Sequence, residues 1–283
     1  MPLTRPRRSA LFLPASNARA IEKARTLSAD VVILDLEDAV APDAKVGARA
    51  AAVAAVREGG FGARELIVRI NAPGTEWGVE DLRAVARAEP DGILIPKVSA
   101  PKQIHDARAL MGTATPLWAM IETCAALSQL DALAGEAGLA GFVLGTNDLA
   151  KEMRARLLPG RAPFQPIMAL AVAAARAHGI AILDGVCNDF SDMARLSAEC
   201  EQGREFGFDG KTLIHPAQIE TCNAIFSPSA EEIAWAQSVI ATFETPENRG
   251  KGAVQVDGRM IERLHLDEAL RISELAKAGG SAS

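Results

Sequence analysis

Two acids stand where apolar runs break off: Glu122 in the string MIET and Asp148 in GTND. Together with the DLED string that holds Asp35, Glu37 and Asp38 they make an all-oxygen set. Hard oxygen donors favour Mg²⁺ or Mn²⁺ over zinc, and a magnesium held by one or two carboxylates keeps positions open for water and substrate. Arg69, in VRIN beside Asn71, would stay charged among such acids and could fork onto a carboxylate or enolate oxygen. An internal salt bridge to the DLED acids is the plainer role for it, and the two are compatible. Lys97 in IPKV shows no apolar cage of the kind that makes a Schiff-base lysine. His215 precedes Pro216, which biases it to extended backbone and to structural hydrogen bonding ahead of general-base duty. His105, His178 and His265 fall in helical patterns, where surface placement is the expectation, and Cys187 has no obvious base beside it.

These residues need elements to position them. Short runs rich in β-branched residues begin at Ser9, Asp30, Glu65, Gly92, Pro116, Gly141, Ile180 and Lys211. Between them lie Ala- and Arg-rich stretches with apolar residues at three- and four-residue spacing, several ending in Gly as helix C-caps do. Eight alternations over about 210 residues predict a parallel (β/α)₈ TIM barrel. A doubly wound sheet fits less well, because no G-x-G-x-x-G follows the first run. Active sites of such barrels sit at the C-terminal strand ends. The polar residues there are Asp35, Glu37 and Asp38, then Arg69 and Asn71, Lys97, Glu122, Asn147 and Asp148, Asp184 and His215. Strand ends meet solvent and are polar for that reason alone, but a rim holding several carboxylates beside Arg69 and Lys97 asks for more.

The barrel is expected over residues 1–225 and a C-terminal appendage of helices over 226–283. In the appendage Ser227 or Ser229 could N-cap a helix with Glu231 and Glu232 in its first turn, followed by a Gly-rich hinge, a strand-like AVQVDG and an amphipathic helix. None of it is needed to close a barrel, so it reads as a lid or as an arm that docks on a neighbouring subunit. Composition narrows the class further. The 30 Lys and Arg against 36 Asp and Glu leave a net charge of −6 over 283 residues, the wrong sign for coating nucleic acid. No apolar stretch is long enough to span a membrane or serve as a signal-peptide core. Cys124, Cys187, Cys200 and Cys222 form no C-x-x-C pair, which fits a reduced cytoplasmic setting.

The strings SALFLPASN, VILDLEDAV, VRIN, ILIPKV, IET, GTNDLA, LDGVCNDFSD, GFDGKTLIHPAQI and FSPSAEEI, in this order over residues 9–233, resemble the CitE-like branch of the HpcH/HpaI aldolase and citrate lyase β-subunit superfamily. That resemblance implies a TIM barrel, commonly trimeric, whose C-terminal segment closes over a neighbour's active site. It implies Mg²⁺ held by Glu122 and Asp148, a substrate-binding Arg69, and Asp35, Glu37 and Asp38 around the metal and its waters. CoA phosphates would meet Arg19 and Lys23, with Arg8 behind them. Lyases of this group carry a G-x-MID lid whose Asp is the acid/base; here the string is GRMIER, which puts Glu262 in that place. The implied reaction is reversible cleavage of a malyl-CoA or citramalyl-CoA type thioester to acetyl-CoA and a 2-oxo acid, glyoxylate or pyruvate. Arg69 would stabilise the enolate and Glu262 would exchange the proton. Thioester hydrolysis, a citrate lyase subunit working on an acyl carrier protein, and a silent CoA binder are the alternatives.

Overall fold

The computed structural model describes residues 5–256 and 258–280. Eight parallel strands close into a barrel in sequence order: β1 (Ser9–Pro14), β2 (Val31–Asp35), β3 (Glu65–Arg69), β4 (Gly92–Ile95), β5 (Leu117–Ile121), β6 (Leu139–Leu144), β7 (Ala181–Asp184) and β8 (Gly210–Leu213). Each expected run supplies one of them, and β1 pairs with β8 to complete the ring. Side chains alternate along a strand, so one parity points inward. Val31 and Ile33, Ile67, Leu94, Trp118 and Met120, Val143 and Leu183 form the interior cluster, with Phe12 packed against it. The same parity carried past the strand ends gives Asp35, Arg69 and Glu122, which is how an apolar interior comes to be topped by charge.

Trp118 is fully buried in that interior. Gly92 and Gly141 make room for it: a Cβ on Gly141 would lie 2.4 Å from the indole and one on Gly92 3.0 Å away. Of the connecting helices, Pro101–Met111 and Met193–Phe206 end on Gly112 and Gly207, both in the left-handed region as helix-ending glycines require. Among the described residues no helix is long and apolar enough to cross a membrane.

The chain divides into two compact units, Arg7–Ala224 and a second that joins the residues before Arg7 to those from Ile225 onward. The second unit begins with a helix, Ala230–Glu244, capped as the sequence suggests: Ser229 Oγ accepts from Glu232 N–H at 3.1 Å while Glu232 accepts from Ser229 N–H at 2.7 Å. Antiparallel strands β9 (Ala253–Val256) and β10 (Arg259–Glu262) follow, then a helix over Arg263–Gly280. Ala236, Val239, Phe243, Val254, Val256, Ile261, Ala269 and Ile272 give this unit its own small core.

Candidate active site at the barrel rim

Asp35, the last residue of β2, organises the rim. Its Oδ1 accepts from Glu37 N–H at 2.9 Å and its Oδ2 from Ala39 N–H at 3.0 Å, folding the DLEDAV turn back on itself. The same two oxygens take a fork from Arg69, Nε and Nη2 each at 2.7 Å. The buried Lys45 ammonium pins the turn from beneath, donating to the carbonyls of Leu36 and Glu37 at 2.9 and 2.8 Å. Both Asp35 oxygens are thus spent within the protein, which makes it the residue that orients Arg69. Arg69 lies with its guanidinium 4.9 Å from the Phe12 ring centre and donates to Met120 Sδ at 3.5 Å. Burial works against its charge, but Asp35, Glu37 and Glu122 outweigh burial and hold it firmly protonated.

Glu37 Oε2 sits 3.0 Å from Arg69 Nη1 as an ion pair, yet off the N–H axis, so it accepts no hydrogen bond. Its other oxygen takes one from Lys97 Nζ at 2.9 Å. Glu122, just past β5, is 1% exposed and behaves similarly: Oε1 accepts from the Lys97 backbone N–H at 2.7 Å, while Oε2 has no partner among the described residues. Gly145, at the end of β6, makes space for that carboxylate, since a Cβ there would come within 2.4 Å of Glu122 Cβ and 2.6 Å of Oε2. Burial, reinforced by the neighbouring Glu37 charge, pushes the Glu122 carboxyl up to about 7. Glu37 is also raised, by burial first, with Arg69 and Lys97 pulling the other way. Asp148 lies in the first turn of the helix Thr146–Met153 and is half-buried. It shares the Lys97 ammonium with Glu122, each oxygen 3.9 Å from Nζ.

An unpartnered, buried carboxylate oxygen beside a second carboxylate is the kind of donor a hard cation takes, so Glu122 and Asp148 fit a magnesium. Among the described residues no three His, Cys, Asp or Glu side chains form a group that could hold a metal ion by themselves. The other expected residues divide. Arg19 and Lys23 lie exposed, one helical turn apart, on the helix Ala18–Ala24 that follows β1. Arg8 is not brought to the rim. It precedes β1 at the N-terminal end of the barrel, where Nε and Nη2 fork onto Asp30 at 2.8 Å each. Glu262 ends β10 in the second unit, its backbone N–H donating to His265 Nδ1 at 2.9 Å.

Two rim candidates prove to be structural. Asn71 is buried and bound through side chain and backbone to Asp81 Oδ2, at 2.6 and 3.0 Å. Asp184 is fully buried, held by Arg161 and by Lys211. His215 caps the short turn after β8, its Nδ1 accepting from Ala217 N–H at 3.1 Å. Sequence reasoning missed Gly145, Lys45 and Arg161; a lysine inside an apolar strand, as in GKTLI, was the available sign that Lys211 must meet a buried acid.

Comparison with known proteins places this arrangement. The (3S)-malyl-CoA thioesterase of Cereibacter sphaeroides is 50% identical over 273 residues, covering 96% of this chain and 95% of that protein. The citrate lyase subunit beta of Leuconostoc mesenteroides is 32% identical over 283 residues, covering 96% and 94%. Among solved structures, CitE of Mycobacterium tuberculosis in complex with magnesium, acetoacetate and coenzyme A superposes with a TM-score of 0.79 at 28% identity, over 96% of this chain and 98% of that one. The model of the HpcH/HpaI aldolase/citrate lyase family matches residues 8–216, which span every strand of the barrel, and the chain belongs to that family.

Proposed function

We propose that the protein hydrolyses the thioester of a short 3-hydroxy-3-carboxyacyl-CoA of the malyl type, with Mg²⁺ held by Glu122 and Asp148. The observation that carries the site is the buried Glu122 Oε2, without a hydrogen-bond partner among the described residues, in a carboxylate that shares the Lys97 ammonium with Asp148. What favours hydrolysis is the 50% identity with proteins named malyl-CoA thioesterase over nearly the whole chain. A bound magnesium supplies Lewis-acid polarisation of the substrate oxygens.

Arg69, fixed by the Asp35 fork, offers a pre-aimed cation to the negative charge that develops on a thioester oxygen. The guanidinium needs no reorganisation at that moment, because Asp35 and Phe12 already hold it. Glu37 steadies Lys97, Arg19 and Lys23 are the proposed contacts for the CoA phosphates, and Glu262 is the proposed group that accepts the proton of the attacking water. A trimer that brings the C-terminal unit to a neighbour's rim is part of the same reading.

Carbon–carbon cleavage to acetyl-CoA and a 2-oxo acid is the second reading, favoured by the relatives named citrate lyase subunit beta, and an acyl carrier protein as thioester donor belongs with it. The test is an assay of the purified chain with malyl-CoA, methylmalyl-CoA and citramalyl-CoA, with Mg²⁺ or with EDTA, read by mass spectrometry. Free CoA and the hydroxy acid, abolished by EDTA, are the expected products. Acetyl-CoA or propionyl-CoA and 2-oxo acid in equal amounts would replace hydrolysis with cleavage.

A further inference from the structure

The Lys97 ammonium stands among four carboxylates, 2.9 Å from Glu37 Oε1 and 3.9 Å from each of Asp38 Oδ2, Glu122 Oε1 and Asp148 Oδ2. These acids come from three segments, those that follow β2, β5 and β6. Lys97 is held there by its backbone, which adopts a φ of 54°, a left-handed conformation uncommon for a side chain of this size. That turn is what aims its N–H at Glu122 Oε1. The side chain, 40% exposed, has a flexible four-carbon stem that can relocate its charge. It therefore neutralises the two acids that would hold a divalent cation, while keeping a shorter contact with an acid outside that pair.

We infer that Lys97 is a built-in competitor of the metal. Its ammonium balances Glu122 and Asp148; a divalent cation taken by those two carboxylates would displace it toward Glu37 and Asp38. The inference rests on the proposed reading of Glu122 and Asp148 as the cation's ligands. An ammonium and a divalent cation a few ångströms apart repel strongly in a partly buried site, so Lys97 weakens metal binding until other negative charge arrives. A substrate carboxylate supplies such charge. By linkage, metal and anionic substrate then strengthen each other's binding, and Lys97 is the source of part of that coupling.

The test is a titration of the full chain with Mn²⁺ alone, free Mn²⁺ being read by electron paramagnetic resonance, for the wild type, Lys97→Met, Glu122→Gln and Lys151→Met. Lys151 is exposed on the helix that carries Asp148 and controls for charge at a distance. Lys97→Met should bind Mn²⁺ at least about tenfold tighter than the wild type, Lys151→Met within about twofold of it, and Glu122→Gln much more weakly. Mn²⁺ should also raise the melting temperature of Lys97→Met more than that of the wild type. If the methionine variant fails to fold by circular dichroism, Lys97→Gln repeats both measurements. Equal or weaker Mn²⁺ binding on loss of the lysine charge, with Glu122→Gln still deficient, overturns the inference and leaves the metal reading standing. No Mn²⁺ binding by wild type or variant removes the metal reading and the inference with it.

Discussion

The barrel holds two clusters of acids and bases built from the same side-chain types, and they have opposite electrostatics. At the rim, Glu37 and Glu122 each keep an oxygen without a hydrogen-bond partner among the described residues, and both carboxyls are pushed up. Beneath the loops after β7, Asp184 accepts from Arg161 Nη1 at 2.8 Å on both oxygens and from Lys211 Nζ at 2.9 Å. Its backbone is engaged as well, since the Asp184 carbonyl accepts from Thr212 Oγ1 at 2.8 Å. Lys211 also reaches Glu199 Oε2 at 3.2 Å and donates to Gly185 O at 2.6 Å. Burial alone would raise the Asp184 carboxyl, but Lys211 and Arg161 more than offset it and hold it below the ordinary carboxylate range. A buried ionic group whose lone pairs are all matched ties strands together; one left short of partners is set to receive a ligand. Burial does not distinguish Glu37 and Glu122 from Asp184, and the count of satisfied oxygens does.

The largest expected effect lies in the satisfied cluster. Asp184→Asn leaves Lys211 and Arg161, both almost wholly buried, facing each other with one carboxylate fewer. Removing one partner of such a network costs about 3–5 kcal/mol of folding stability, to be read from urea unfolding at neutral pH. A variant that folds as well as the wild type and loses only turnover would erase the distinction between the clusters. At the rim the loss should appear in turnover. Arg69→Ala removes the cation aimed at developing charge and should lower kcat by about 100- to 1,000-fold, measured on whichever thioester the protein consumes. Because Asp35 and Glu37 lose their partner too, some stability is lost with it; Arg69→Lys, which keeps the charge without the fork, should recover stability before it recovers kcat.

The barrel was legible in the sequence because its strands are fully buried apolar runs cut off by polar residues, and each of the eight runs became a strand. The rim acids were legible for the same reason, as charged residues at the end of an inward parity. Asp184 shows where this reasoning stops. It ends β7 just as Asp35 ends β2, so its position alone suggests the same duty. Its partners, Arg161 and Lys211, stand 23 and 27 residues away in sequence. They reach it because β7 and β8 pair in register, Asp184 beside Lys211, and because the loop before the helix Gln165–Ala177 folds Arg161 inward. Arg8 fails in the opposite direction: a basic residue near the first helix in sequence, it stands at the start of β1 and is therefore one strand length from the rim.

The smallest of these effects separates the clusters by pH. The Glu122 carboxyl is raised from 4.5 to about 7 in the folded protein, chiefly by burial. Between those values the folded state keeps a proton that the unfolded chain has released, so the stability of the metal-free protein falls as pH rises through that window. Asp184 has the opposite sign: held below its usual 3.8, it contributes stability that is present above that value and is lost as pH falls below it. Glu122→Gln imitates the protonated carboxyl. Without metal the variant should match the wild type near pH 5 and exceed it at pH 8 by roughly 1–3 kcal/mol, read from urea unfolding in EDTA. Mg²⁺ should close the gap at pH 8 by stabilising the wild type alone, because a cation takes the place of the missing proton. Parallel stability curves for the two proteins from pH 5 to 8 would mean that Glu122 carries no excess charge in the fold, and the rim would then be as fully satisfied as the cluster around Asp184.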